Sequence, residues 1–295
     1  VPDLLARGVL MCPVSGLPLR PAPGGGAVET ADGAWRYPVN ERGVPILVRD
    51  WQSFQDYVKS NPSMTEEYGA YGAAAPPARF WHHHRWFGDD DRRTAASRRA
   101  SDQVLALCDD PARLVLGVGG GPTRVHPAII NLNIDGFANV DVVGDACRLP
   151  FLDGSVDAVH CEAVLEHIAD PRAAAAEMRR VMKPGALGFI CTPFLQPFHG
   201  YPHHYQNFTH LGHRHLLEAQ GFDIVDCGVA VGPGWTIAQM VDLYINTYSR
   251  PLARRLLAPL WHLFANLVIK PRDERLAEHD KAYLLASTTY VLVRR

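Results

Sequence analysis

The side chains best equipped for chemistry here are histidines. The chain has 14 of them, unevenly placed. The densest group is His199-Gly200-Tyr201-Pro202-His203-His204-Tyr205-Gln206-Asn207-Phe208-Thr209. Imidazole titrates near neutrality, so it can take the proton from a hydroxyl as that oxygen becomes a nucleophile. His199 and His203 are the candidate bases, with Tyr205 as an orienting hydroxyl. His167, in Val164-Leu165-Glu166-His167, is a separate candidate. Its alternative reading is a helix brace, and that of His203-His204 is a loop-stabilising pair. A second group consists of glycines and polar tips: Gly117, Gly119 and Gly121, then Asn133, then Asp145-Ala146, then Glu162. Glycines let backbone approach a ligand closely, and polar residues ending successive strands line one edge of a parallel sheet. That combination builds a nucleotide-type site.

These residues need a scaffold that brings strand ends together. Leu114-Val115-Leu116-Gly117-Val118 is an apolar run into a glycine turn. Asn131-Leu132-Asn133-Ile134, Val142-Val143-Gly144 and Val156-Asp157-Ala158-Val159 follow as strands. Ala186 to Cys191, Phe222 to Val225 and Ser287 to Val293 complete the set. Strands alternating with helical stretches predict an α/β, doubly wound, mostly parallel sheet of seven strands. The histidine loop follows the fifth strand, so it hangs over the carboxyl edge. Thr94 to Cys108 is a helix leading into the first sheet strand.

The order and wording resemble class I S-adenosylmethionine-dependent methyltransferases of the type 11 kind, over roughly residues 110 to 230. The resemblance implies a Rossmann-like fold with S-adenosyl-L-methionine as cofactor. It places the cofactor on Gly119 and Gly121, on Asn133 with Asp135 nearby for the ribose, on Asp145 and Ala146 for the adenine, and on Glu162 for the amine. Two positions depart from the pattern. Gly117 stands where an acidic residue is usual, and Thr123 where a third glycine is usual. The histidine loop resembles one in bacterial methyltransferases of glycan and natural-product biosynthesis, with His204 and Asn207 replacing an aspartate and an arginine.

Residues 1–50 resemble a small zinc-ribbon-like module. Its first metal position is Cys12, but Ser15 holds the second place, and one thiolate cannot close a tetrahedral site. The expectation is a metal-free module packed through Trp35, Tyr37 and Ile46. Residues 51–110 read as a helical cap or lid, including Tyr68, Tyr71 and Phe80 to Phe87. The adjacent His82, His83 and His84 point in different directions on any regular element, so no metal is expected there either. Residues 111–295 form the methyltransferase domain, with a helical insertion at 236–280.

The bulk composition fits a globular protein: 47% hydrophobic and 20% charged, with a net charge of -2. It offers no basic stripe for nucleic acid. The six cysteines are scattered without a CxxC pair, which points to a reducing, cytoplasmic setting. No apolar run is long enough to span a bilayer. Leu256 to Ile269 is amphipathic, and residues 252–270 either rest on a membrane surface or, as the preferred reading, pack as a capping helix. The resulting expectation is O-methylation of a hydroxyl on a sugar, glycan or glycosylated natural product, with a small-molecule or glycan acceptor. The alternatives are N- or C-methylation of a small metabolite and a non-catalytic, methyltransferase-like partner protein.

Overall fold

The computed structural model describes residues 2–48, 92–121, 124–199 and 203–295. The expected cap over 51–91, with its aromatic and histidine runs, and Thr123 lie outside them. Three short strands open the chain: β1 (Leu19–Pro21), β2 (Ala27–Thr30) and β3 (Arg36–Pro38), paired antiparallel. The main sheet contains β4 (Ile46–Leu47), β5 (Val115–Val118), β6 (Ile130–Asn133), β7 (Val142–Gly144), β8 (Val156–Glu162), β9 (Met182–Pro193), β10 (Asp223–Val231) and β11 (Thr288–Arg294). Their order is β10-β11-β9-β8-β5-β6-β7-β4. Only the pairings of β11 with β9 and β10 are antiparallel. This is the expected Rossmann-like α/β sheet with one strand more.

The extra strand belongs to the N-terminal segment. β4 pairs in parallel with β7, Ile46 opposite Val143 and Leu47 opposite Gly144. Leu10 bridges to Phe151, and the Met11 N–H donates to the Pro150 carbonyl at 3.0 Å. One apolar cluster runs from Leu10, Cys12, Tyr37 and Leu47 into Leu116, Leu132, Phe151 and Met178. The expected small antiparallel β module is present, and it shares the apolar core of the main sheet. Of the residues expected to pack it, Tyr37 is buried while Trp35 is 36% exposed. The Cys12 thiol lies 3.1 Å from the Tyr37 hydroxyl and accepts from the Ser15 N–H at 3.3 Å. The two ribbon-like positions are thus joined by a hydrogen bond.

Helices cover the sheet. α1 is Pro2–Ala6, and α2 (Ala95–Leu105) is capped by Thr94, whose hydroxyl accepts from Ser97 N–H. α3 (Pro171–Val181) places Ala174, Ala175, Met178 and Val181 in the core. Its Arg180 donates to Glu177, Asp153 and the carbonyls of Leu149 and Phe151. That guanidinium ties α3 to the Leu149-Pro150-Phe151 turn, which in turn holds the N-terminal segment. α4 (His210–Glu218) follows the histidine loop.

The insertion begins at Pro233, slightly before the expected boundary, with α5 (Pro233–Tyr248), α6 (Pro251–Phe264) and α7 (Asp273–Ala277). α6 lies against α5, with none of its residues fully buried and with Leu252, Leu256, Leu260 and Leu263 facing solvent. Polar contacts join the two helices: Trp261 Nε1 donates to the Ala238 carbonyl, Arg254 Nη1 donates to the Asn246 carbonyl, and His262 Nε2 meets Asp242 at 2.6 Å. No helix among the described residues is long and apolar enough to cross a membrane. All six cysteines are free thiols.

Two histidines are buried inside this scaffold. His160, on β8, is bonded to Ser101 and stacked on Phe189. Burial, with Arg93 nearby, lowers its pKa to about 4. His213, on α4, is lowered to about 3 by burial, with His210 adding to the effect. The unfolded chain takes up these protons below about pH 6.5 and the folded chain does not, so acid favours unfolding in that window. The melting temperature should fall as pH drops from 6.5 toward 4. His213→Leu should make that slope shallower; an unchanged slope would contradict the assignment.

Candidate active site

The tips of β8, β5, β6 and β7 stand side by side along one rim, where the order of connections reverses between β5 and β8. β5 is buried along its whole length and runs straight into Gly119. Gly119 has φ of 74°, and a β-carbon there would lie 2.2 Å from Val164 Cγ2. Both the torsion and the space demand glycine. The N–H groups of Gly119 and Gly120 donate to the Leu132 carbonyl at 2.8 and 3.1 Å, which folds the turn toward β6. A β-carbon at Gly121 would meet nothing within 4 Å among the described residues.

Gly117 has a different role from the one the resemblance assigns. It is buried, and a β-carbon there would stand 2.7 Å from Asn131 Oδ1 and 3.2 Å from Ile129 Cδ1. Buried Asn131 fills the space that an acidic side chain would need, and its amide donates to the Asn139 carbonyl. Gly117 is packed against Asn131 and Ile129 beneath the turn. Asn133 is also turned inward, at 8% exposure. Its Nδ2 donates to the Gly120 carbonyl and its Oδ1 accepts from the Asp135 N–H. It braces the glycine turn, and half-buried Asp135 is the carboxylate presented at that strand tip.

Asp145 caps the Ala146–Arg148 turn through Oδ1, which accepts from the Cys147 N–H at 2.8 Å. Asp145 and Ala146 are both half-buried at the tip of β7. Glu162 ends β8, with its side chain 32% exposed and 3.6 Å from Arg93 Nη1. Ala163 follows with φ of 55°, the one non-glycine residue in the left-handed region among those described. An L-residue pays strain for that conformation, and here it turns the chain sharply from β8 into Leu165–His167.

That turn carries Glu166, which is fully buried. Its Oε1 lies 3.7 Å from His167 Nε2 and 3.7 Å from His199 Nε2. Neither carboxylate oxygen has a hydrogen-bond partner among the described residues. His167 Nδ1 contacts the His203 carbonyl at 2.6 Å, and His199 Nδ1 contacts the Pro197 carbonyl at 2.9 Å. A carbonyl can only accept, so both Nδ1 atoms carry protons and both Nε2 atoms face Glu166. Burial lowers the pKa of His167, an effect that the His203 carbonyl and Glu166 only partly offset. Burial pulls His199 the same way, but Glu166 and the Pro197 carbonyl prevail and raise it.

The loop after β9 is fastened onto this turn. Tyr205 N–H donates to the Glu166 carbonyl at 2.8 Å, and Gln206 Nε2 donates to the carbonyls of Leu165 and Ile168. His204 packs on His199 with ring centroids 4.3 Å apart and accepts from the His199 N–H. Of the four candidates for acceptor chemistry, then, the fold brings His167 and His199 together. His203 contributes its carbonyl, and its ring packs on Tyr205. Tyr205 is 53% exposed, and its hydroxyl orients neither His167 nor His199. The sequence reading missed Glu166 and Gln206. The one signal for Glu166 was its place beside His167, just past a strand.

Residues 103–190 match the family model of the methyltransferase domain. That segment spans the glycine turn, the polar tips of β6, β7 and β8, and Glu166-His167. An uncharacterized methyltransferase of Mycobacterium sp. (strain KMS) is 37% identical over 116 residues, covering 33% of this chain and 45% of that protein. The chain spans less than half the length of the first curated relatives it matches. Among solved structures, the (4+2)-cyclase SpnF is 19% identical with a TM-score of 0.44, covering 85% of this chain and 98% of that one. A SAM-dependent methyltransferase from Archaeoglobus fulgidus is 15% identical with a TM-score of 0.43, covering 74% and 100%.

The packing of Asn131 against Gly117 has a direct test. Gly117→Asp restores the acid of the usual pattern but drives its β-carbon into Asn131. We expect a variant less stable by about 1–3 kcal/mol, the usual cost of overpacking, measured by denaturant unfolding. Full stability would show that the Asn131 contact is dispensable.

Proposed function

We propose that this protein is an S-adenosylmethionine-dependent methyltransferase that methylates a hydroxyl of a sugar, glycan or glycosylated natural product. The observation that carries the reading is the Glu166, His167 and His199 cluster, held on a turn that leaves the tip of β8 beside the glycine rim. The cofactor supplies a methyl group on a positively charged sulfur. The residues present fit it: space at Gly121 among the described residues, and carboxylates at Asp135, Asp145 and Glu162. Asp135 would accept from the ribose hydroxyls, Asp145 and the Ala146 backbone would meet the adenine, and Glu162 would meet the amine.

On the acceptor side, a hydroxyl gains nucleophilicity as its proton leaves. Nε2 of His199 is the site for that proton, and the Glu166 carboxylate balances the imidazolium that forms. His167, held by the His203 carbonyl, positions the pair from the other side. Phe198, at 80% exposure, and Tyr205, at 53%, are exposed aromatic side chains on the same loop. Aromatic faces pack well against the apolar side of a sugar ring.

Calorimetry should detect binding of S-adenosylmethionine and of its demethylated product. His199→Asn should leave that binding within about twofold and lower turnover on hydroxyl acceptors by ~10²-fold or more. Failure to bind either ligand would leave a non-catalytic partner protein as the reading. Turnover that survives His199→Asn would favour an amine or carbon acceptor.

A further inference from the structure

We propose that Glu166, His167 and His199 form a binding site for one divalent ion of the zinc class, with its fourth position open toward the acceptor. The ligand atoms are Glu166 Oε1 and the Nε2 atoms of the two histidines, all within 4.8 Å of one another. The two measured carboxylate-to-imidazole separations are both 3.7 Å. Tetrahedral zinc with bonds near 2.1 Å sets its ligand atoms about 3.4 Å apart. Octahedral magnesium, at similar bond lengths, sets neighbouring ligands about 2.9 Å apart. The observed spacing is nearer the tetrahedral edge, and two imidazoles with one carboxylate suit zinc better than a hard, oxygen-seeking ion.

The second observation is the carboxylate itself. Glu166 is fully buried, and both its oxygens lack a hydrogen-bond partner among the described residues. A buried carboxylate in that condition is costly unless a cation compensates it. The two Nε2 atoms lie 3.7 Å from its Oε1, and in the neutral rings they carry the lone pairs because both Nδ1 protons point at backbone carbonyls. Metal-binding histidines are usually oriented in this way, with the far ring N–H donating to a carbonyl or carboxylate. The His203 and Pro197 carbonyls do this for His167 and His199. Exposure rises across the three side chains, from 0% at Glu166 through 18% at His167 to 35% at His199. The open position is therefore on the histidine side. The expectation of a metal-free chain came from the N-terminal thiols and the His82 run, and it does not reach this cluster.

Ion and proton compete for the same lone pair on His199. In the loaded protein an acceptor hydroxyl would take the fourth position, lose its proton to solvent water and remain as a metal-held alkoxide. That role rests on the function proposed above, whereas the binding of the ion does not.

The full chain, stripped with a chelator, should be titrated with zinc chloride by calorimetry, and its melting temperature read with and without zinc. Wild type should bind one more equivalent than His199→Gln, or bind it about 10- to 100-fold more tightly. Zinc should also raise the wild-type melting temperature more than that of the variant. The comparison removes any zinc held by the His82-His83-His84 run. Glu166→Gln should behave like His199→Gln; if it fails to fold, the loop variant carries the test alone. Equal stoichiometry, affinity and melting shift in wild type and His199→Gln would overturn the site. Zinc binding at this step by a chain that ignores S-adenosylmethionine would uphold the site and remove the proposed function. The reverse result would do the opposite.

Discussion

A carboxylate sealed inside the fold without a hydrogen bond is the constraint around which the acceptor side is built. Glu166 cannot be solvated where it stands, and its compensation has to come from His167 and His199 or from a cation they hold with it. Everything nearby serves that placement. Ala163 takes a left-handed torsion so that β8 can turn at once into the Glu166 segment. The loop after β9 is tied down through Tyr205 N–H and the Gln206 amide, which brings His199 over the carboxylate. Two backbone carbonyls then decide which imidazole nitrogen faces it.

The donor side follows a different logic, in which close packing replaces polar contact at two positions. Gly117 and Gly120 both lie against Asn131, and Asn133 is turned back onto the Gly120 carbonyl. The glycine turn is therefore stiffened from behind by two asparagines. Its front is left to Gly121 and to the carboxylates of Asp135, Asp145 and Glu162. The departures from the usual motif are coupled: an acid at 117 has no room because Asn131 occupies it.

The rim also depends on residues far from it in sequence. β4 adds an edge strand beside β7, whose tip carries Asp145. Arg180 locks α3 to the Leu149-Pro150-Phe151 turn, against which Leu10 and Met11 are paired. One continuous core links these parts, so the N-terminal strands buttress the sheet edge. The leucine face of α6 stands outside this core, and Arg254, Trp261 and His262 tie the helix to α5 through side-chain hydrogen bonds.

The sheet, its strands and the site's position on the carboxyl edge were legible in the sequence. Apolar runs closed by glycine or acidic tips repeat along the chain, and short-range pattern dictates strands and turns. The candidacy of His167 and His199 was equally legible, since imidazoles are rare enough to notice. What one chain of letters could not carry was direction. Asn133 and Asp135 are two residues apart, and only the fold turns the first inward and leaves the second at the rim. Trp35 and Leu256 look like core residues by type, yet both are exposed, because burial depends on which surface arrives to cover them. Nothing in the sequence marks Glu166 as buried; β8 and the loop after β9 enclose it. Glu166 and His199, 33 positions apart, and His167 and His203, 36 apart, meet only through tertiary contact, and the charge balance of the cluster exists only once they do.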